Sequence, residues 1–118
     1  MQPRPLNILV LEDEAVIALE LRRSLTQSGH RVIGPFAQIE AGEHALLTTQ
    51  VDFALLDIQL GRDKVFALAE QVGRLGIPFA FLSGYETDVV PAGMRNRPFM
   101  TKPFKSGELL QRIATLTS

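Results

Sequence analysis

The chain has 118 residues, long enough for one domain with a real core and too short for two. Twelve Lys and Arg against thirteen Asp and Glu leave a formal charge of -1, so there is no basic field to hold nucleic acid or an anionic membrane. Cysteine is absent, which removes disulfide frameworks and thiolate metal sites and fits a cytoplasmic location, and no apolar run approaches the roughly 18 residues needed to cross a bilayer.

Leu6 to Leu11 (LNILVL) is an apolar run that ends in acid: Glu12, Asp13 and Glu14. Val16, Ile17, Leu19, Leu21 and Leu25 follow as the apolar face of a helix, and Ser28-Gly29 stops it. Arg31 to Phe36 reads as a shorter strand broken by Gly34-Pro35, which places it at a sheet edge. Gln38 to Thr49 reads as a helix whose apolar face is weak. The stretch Val51 to Gly61 (VDFALLDIQLG) holds an uninterrupted apolar run, Phe53 to Leu56, closed by Asp57; a strand covered on both faces reads in this way. Val65, Leu68, Val72 and Leu75 mark a third helix, closed by Gly76. Pro78 to Leu82 (PFAFL) is a fourth apolar run, ending in Ser83-Gly84. Glu86 to Arg97 contains Pro91 and Gly93 and supports only a short or irregular helix. Phe99 to Thr101 is a brief fifth strand running into Lys102-Pro103, and Ser106 is placed to cap a last helix with Leu109, Leu110, Ile113 and Leu116 facing inward.

Strand then helix, repeated five times, is an α/β pattern: a (βα)5 doubly wound, five-stranded parallel sheet with helices on both faces. Right-handed crossovers bring all the strand C-termini to one edge, where ligands bind in open α/β sheets. That edge collects Glu12, Asp13, Asp57, Ser83 and Lys102.

Carboxylates brought together repel, and the repulsion is relieved by raised pKa values or by a cation. Lys102 supplies one positive charge, and a bound Mg2+, which favours oxygen ligands and a phosphate, would neutralise the rest. An Asp57 oxygen could then attack phosphorus in line and form an aspartyl phosphate, with Ser83 donating to a phosphoryl oxygen and Gly84 leaving the approach open. Each signal is common alone: an acidic pair after a strand suits a helix dipole, and Ser-Gly and Lys-Pro are ordinary turns. Their joint occurrence at the ends of four strands carries the reading.

At these residues, and over essentially its whole length, the sequence resembles the receiver domain of two-component response regulators, which implies a flavodoxin-like strand order 2-1-3-4-5 and one receiver domain over 1–118. The resemblance makes Glu12 and Asp13 the acidic metal-binding pair, Asp57 the phosphorylated aspartate and metal ligand, Ser83 the family's Thr or Ser, and Lys102-Pro103-Phe104 the Lys-Pro-Phe signature with a cis Lys102-Pro103 peptide. It also implies the main-chain carbonyl of Gln59 as a third Mg2+ ligand, Phe99 as a switch aromatic alongside Ser83, and Gln59 and Tyr85 as positions that tune phosphoryl lifetime. The chain departs from the family where Gly61 stands in place of the usual proline four residues after the aspartate. PFAFLSGY, from Pro78 to Tyr85, is similar to the Pro-Phe-x-Phe-Ala-Thr-Gly-Tyr motif of stand-alone alphaproteobacterial receivers, with Leu82 and Ser83 replacing Ala-Thr. The receiver resemblance implies a histidine kinase or histidine phosphotransferase as phosphodonor, and the motif similarity implies a kinase of the HWE and related classes.

The function expected is therefore a phosphoacceptor switch, monomeric or weakly dimeric, with no nucleic-acid or membrane partner. No effector segment follows Ser118 in this sequence, so output is expected through protein contacts or competition for phosphate, unless the chain is the receiver of a longer regulator. One alternative is a receiver-like interaction module or phosphate sink without an output switch. A phosphohydrolase of the haloacid-dehalogenase type would need an acid two residues after its nucleophile, where this chain has Gln59.

Overall fold

The computed structural model describes residues 4–84 and 90–118. Its main sheet is built from β1 (Asn7–Leu11), β2 (Arg31–Phe36), β3 (Phe53–Asp57), β6 (Phe79–Ser83) and β7 (Phe99–Thr101), in the order β2-β1-β3-β6-β7 with every pairing parallel. Between β3 and β6 lies a small antiparallel hairpin, β4 (Gln59–Leu60) and β5 (Asp63–Lys64), outside that sheet. With the hairpin set aside, the order is the 2-1-3-4-5 of a doubly wound fold.

The strands bury both faces. Along β1, Ile8 and Val10 join Phe53, Leu55, Ala80 and Leu82 on one face, under Leu21 and Leu25 of α1 (Ala15–Gln27) and Leu109 and Ile113 of α4 (Ser106–Thr117). Leu9 and Leu11 join Ala54, Leu56, Phe79 and Phe81 on the other, under Ala45 of α2 (Ile39–Thr48) and Leu68 and Val72 of α3 (Phe66–Arg74). This alternation within unbroken apolar runs is what a central parallel strand requires. The weak apolar face of α2 has a steric cause: a Cβ on Gly42 would stand 3.0 Å from Leu68 and 3.1 Å from Leu11, so small residues let this helix sit close to the sheet.

Several expectations are corrected. In α1 the buried stripe is Ile17, Leu21 and Leu25, spaced by four, whereas Val16 and Leu19 are 72% and 59% exposed. At about 100° of turn per residue both lie well off that stripe. Leu75 is 61% exposed because it follows the last turn of α3 as its C-cap instead of facing the core. Ser106 does not cap α4: the N-cap is Lys105, and the Ser106 hydroxyl instead meets that of Ser24 on α1 at 2.7 Å. The short or irregular helix expected before β7 is, among the described residues, a 3-10 turn, Ala92–Met94.

The edge strand β2 carries one residue more than β1 between the pairs Leu9 with Ile33 and Leu11 with Phe36. Gly34 absorbs this bulge with φ +107°, and a Cβ there would stand 2.8 Å from the Val10 carbonyl oxygen. Past the bulge, the Glu12 amide donates to the Phe36 carbonyl at 2.9 Å, fixing the first acidic residue at the end of β1. The hairpin turns at Gly61 and Arg62; Gly61 has φ +60° while Arg62, like every non-glycine among the described residues, does not have positive φ, the signature of a type II′ turn. Proline, fixed near φ −65°, does not fit there.

Candidate functional site

Four strand ends and the hairpin surround a cavity of about 370 Å3, lined by Asp13, Glu14, Asp57, Gln59, Ser83 and Lys102 together with Ile58 and Gly84. Asp57 is the last residue of β3 and only 6% exposed; register pairs it with Leu82 of β6. Ser83 ends β6, is buried, and its carbonyl accepts the Lys102 amide hydrogen at 2.8 Å, so the hydroxyl and the lysine are tied together by the sheet's own ladder. The Lys102-Pro103 peptide immediately after is cis.

The Lys102 ammonium is shared among three acids. Its Nζ lies 2.7 Å from Glu12 Oε1, 3.2 Å from Asp57 Oδ2 and 3.5 Å from Glu14 Oε1. Glu12 is 2% exposed, and its Oε1 faces the ammonium as a close ion pair. Its Oε2 accepts the Glu14 amide hydrogen at 3.1 Å. Burial pushes Asp57 up to about 7 from an ordinary 3.8, hydrogen bonding with Glu12 and repulsion by it add to the rise, and Lys102 pulls the other way. For Lys102, burial lowers the pKa, but Glu12 and Asp57 together outweigh it and hold the ammonium above its ordinary value.

Glu12, Asp13 and Asp57 each offer one carboxylate oxygen, and these oxygens lie within 4.8 Å of one another. The donor set is all oxygen and its charge exceeds what Lys102 neutralises, which fits a hard divalent cation such as Mg2+. Asp13 is exposed, and its Oδ2 accepts the Gly61 amide hydrogen at 2.9 Å. Gln59 borders the cavity; its amide approaches Asp57 Oδ1 at 3.3 Å, while its side chain donates to the Gly61 carbonyl at 2.7 Å and accepts from the Lys64 ammonium.

Phe99 stands apart from the cavity. It is half-buried and its ring lies 5.4 Å from that of Phe81, which meets Phe79 and Phe66 edge-on at 5.4 Å and 5.8 Å. Tyr85 lies outside the described residues. Two contributors carry little signal in the sequence. Glu14 reads there as the tail of an acidic run, and Gly61 as a departure from a family pattern, because a backbone amide donor leaves no mark in residue spacing.

A family model described as the response regulator receiver domain matches residues 8–114. Among curated proteins, the sensory transduction protein LytR of Streptococcus mutans is 32% identical over 115 residues, covering 92% of this chain and 47% of LytR. The chain thus spans about half the length of the curated relatives it matches. Among solved structures, SdrG from Sphingomonas melonis Fr1 is 30% identical with a TM-score of 0.84, covering 97% of this chain and 98% of SdrG. The BeF3-activated conformation of SdrG, there described from Pseudomonas melonis Fr1, superposes with a TM-score of 0.80 at 28% identity over 98% of this chain and all 100% of that one. A family match across nearly every strand and helix, on a fold that gathers acids and a lysine at one sheet edge, has a single consequence: the chain belongs to the response regulator receiver domain family.

Proposed function

We propose that Asp57 is the phosphoacceptor of this receiver, that its donor is a phosphohistidine on a histidine kinase or histidine phosphotransferase, and that residues 1–118 act as one receiver unit. The observation that carries the reading is Asp57 Oδ2 at 3.2 Å from the Lys102 ammonium, beside two further acids with ligand oxygens within 4.8 Å. An ionised Asp57 oxygen forms the O–P bond while the P–N bond to histidine breaks, and the bonding pair leaves on the histidine nitrogen. Lys102 favours the ionised nucleophile against burial and offers its charge to a phosphoryl oxygen. Ser83 supplies a hydroxyl to another such oxygen, and Gly84 keeps the approach clear. Glu12, Asp13 and Asp57, with the Gln59 main-chain carbonyl, would hold Mg2+, which would supply neutralising charge for the phosphoryl group.

The chain assists both its own phosphorylation and its dephosphorylation, and it is not a turnover phosphatase. At the position where a general acid would stand, the Gln59 side chain is engaged by Gly61 and Lys64. That engagement also sets how Gln59 tunes phosphoryl lifetime. Switching passes through Ser83 and the Phe99 ring, whose contact with Phe81 gives it a defined resting position. The existence of a BeF3-activated form of SdrG supports the same activation here. An HWE-type kinase in the cytoplasm is the donor class that the PFAFLSGY stretch favours.

Amide NMR with Mg2+ and beryllofluoride, a phosphoryl mimic, tests this. Wild type is expected to shift at Asp57, Ser83, Gly84 and Lys102, and Asp57→Asn is expected not to respond to beryllofluoride. A silent wild type, or an Asp57→Asn protein that responds equally, overturns the assignment.

A further inference from the structure

We propose that Gly61 is a positioning residue for Asp13: its backbone amide holds the Asp13 carboxylate in place for a divalent cation, a task that the residue usual at this position in receivers, proline, cannot perform. This deepens the proposed function and rests on it. The geometry has three parts. First, Gly61 N donates to Asp13 Oδ2 at 2.9 Å across 48 residues of chain, and among the described residues this is the only hydrogen bond that the Asp13 side chain makes. Asp13 is exposed, so without that tether its carboxylate would sample several rotamers, whereas Glu12 and Asp57 are fixed by burial.

Second, the donor is itself held. The type II′ turn needs the φ of +60° that Gly61 adopts, β4 pairs with β5 on either side of it, and the Gln59 side chain binds the Gly61 carbonyl at 2.7 Å. The hairpin is anchored to the core by the Val65 amide, which donates to the Ile58 carbonyl at 3.0 Å, one residue beyond Asp57. The nucleophile strand and the Asp13 tether therefore belong to one continuous piece of backbone, Asp57 to Val65. Third, the substitution that defines the departure is chemically decisive. Proline has no amide hydrogen and cannot reach positive φ, so the hairpin and the tether are lost together. A partner that orients a metal ligand from behind typically changes affinity by about 10- to 100-fold when removed.

The test is Mg2+ binding followed by amide shifts, with wild type, Gly61→Pro and Gly61→Asn as the full chain. A Cβ at position 61 meets nothing within 4 Å and asparagine keeps its N–H, so although φ +60° strains any L side chain and Gly61→Asn should melt at a lower temperature, it is expected to bind Mg2+ within about twofold of wild type. Gly61→Pro is expected to bind about tenfold more weakly. A second measurement does not depend on the proline variant folding: the Gly61 amide of wild type is expected to exchange with deuterium about tenfold more slowly than in Asp13→Ala, as a hydrogen-bonded amide should. Equal Mg2+ affinity in Gly61→Pro, an equal loss in Gly61→Asn, or a Gly61 amide that exchanges alike with and without the Asp13 carboxylate overturns the inference. A wild type without Mg2+-dependent shifts near Asp57 sinks the phosphoacceptor reading itself, an outcome distinct from these three.

Discussion

Replacing Asp57 with asparagine should stabilise the metal-free protein at alkaline pH, and the size of the effect follows from the site. Asp57 is 6% exposed and pushed up to about 7 from 3.8, by burial first and then by Glu12. A carboxyl whose folded pKa exceeds its unfolded one binds its proton more tightly when folded. Between those values the native state holds more protons than the unfolded state, so stability falls as pH rises from about 4 to about 7 and levels off above. At about 1.4 kcal/mol for each tenfold, the full rise corresponds to about 4 kcal/mol at pH 8. Asparagine keeps the shape and removes the ionisation, while Lys102 retains Glu12 at 2.7 Å. The variant is thus expected to gain about 2–4 kcal/mol over wild type at pH 8 and almost nothing at pH 4. Urea denaturation of both proteins from pH 4 to 8.5, with a chelator present, gives the difference directly, and groups common to the two, including His30, cancel. Added Mg2+ should then narrow the gap at pH 8 by stabilising wild type. A difference that is independent of pH, or a variant no more stable than wild type at pH 8, would refute the reasoning.

Lys102→Met leaves Glu12 buried without its counter-charge and should cost about 3–5 kcal/mol at pH 8; a loss under 1 kcal/mol by urea denaturation would show that the contact with Glu12 carries little. Gly34→Ala should cost about 2 kcal/mol or more, because its Cβ would press on the Val10 carbonyl at 2.8 Å and its φ is +107°. Gly29→Ala, at φ +91° but with open space around it, should cost about 1 kcal/mol, so thermal melts that rank the two the other way would contradict the bulge geometry. His30 accepts the Leu6 amide hydrogen through Nδ1 at 3.1 Å, and burial lowers its pKa below 6.5. Its contribution to stability is complete above 6.5 and is lost as pH falls through the folded midpoint; a His30 NMR titration with its midpoint at or above 6.5 would contradict this.

The fold was legible because both faces of each central strand are buried, which turns strand sequence into unbroken apolar runs: Ile8 to Leu11, Phe53 to Leu56 and Phe79 to Leu82 lie entirely within the core. Helix faces were less legible. Five apolar residues in α1 suggested one broad face, yet only the stripe spaced by four reaches the sheet, and nothing in composition separates Leu19 from Leu21. The hairpin escaped because its strands are two residues each, too short for any period to show. Glu12, Asp13, Asp57, Ser83 and Lys102 could be placed at one edge because parallel topology fixes where strand ends go. How Lys102 divides itself among the acids, and how Gly61 reaches Asp13, depends on side-chain and turn geometry that spacing does not encode.

That division of Lys102 bears on how a phosphorylated state would differ from the resting one. A phosphoryl group on Asp57 adds negative charge beside an ammonium already bound to three carboxylates at 2.7, 3.2 and 3.5 Å. On the proposed reading the Asp57 contact passes to a phosphoryl oxygen, and of the two remaining acids the more weakly held one yields first. Glu12 is fully covered, and stripping its counter-charge would leave an isolated buried anion, which costs several kcal/mol. Glu14 has a side chain 63% exposed and the longest contact, so water can replace the ammonium at a cost within about 1 kcal/mol. The Glu14 link is therefore the one to open, and it joins the end of β7 to the residue that caps α1. The ordering of burial among three acids sets which side of the site responds first.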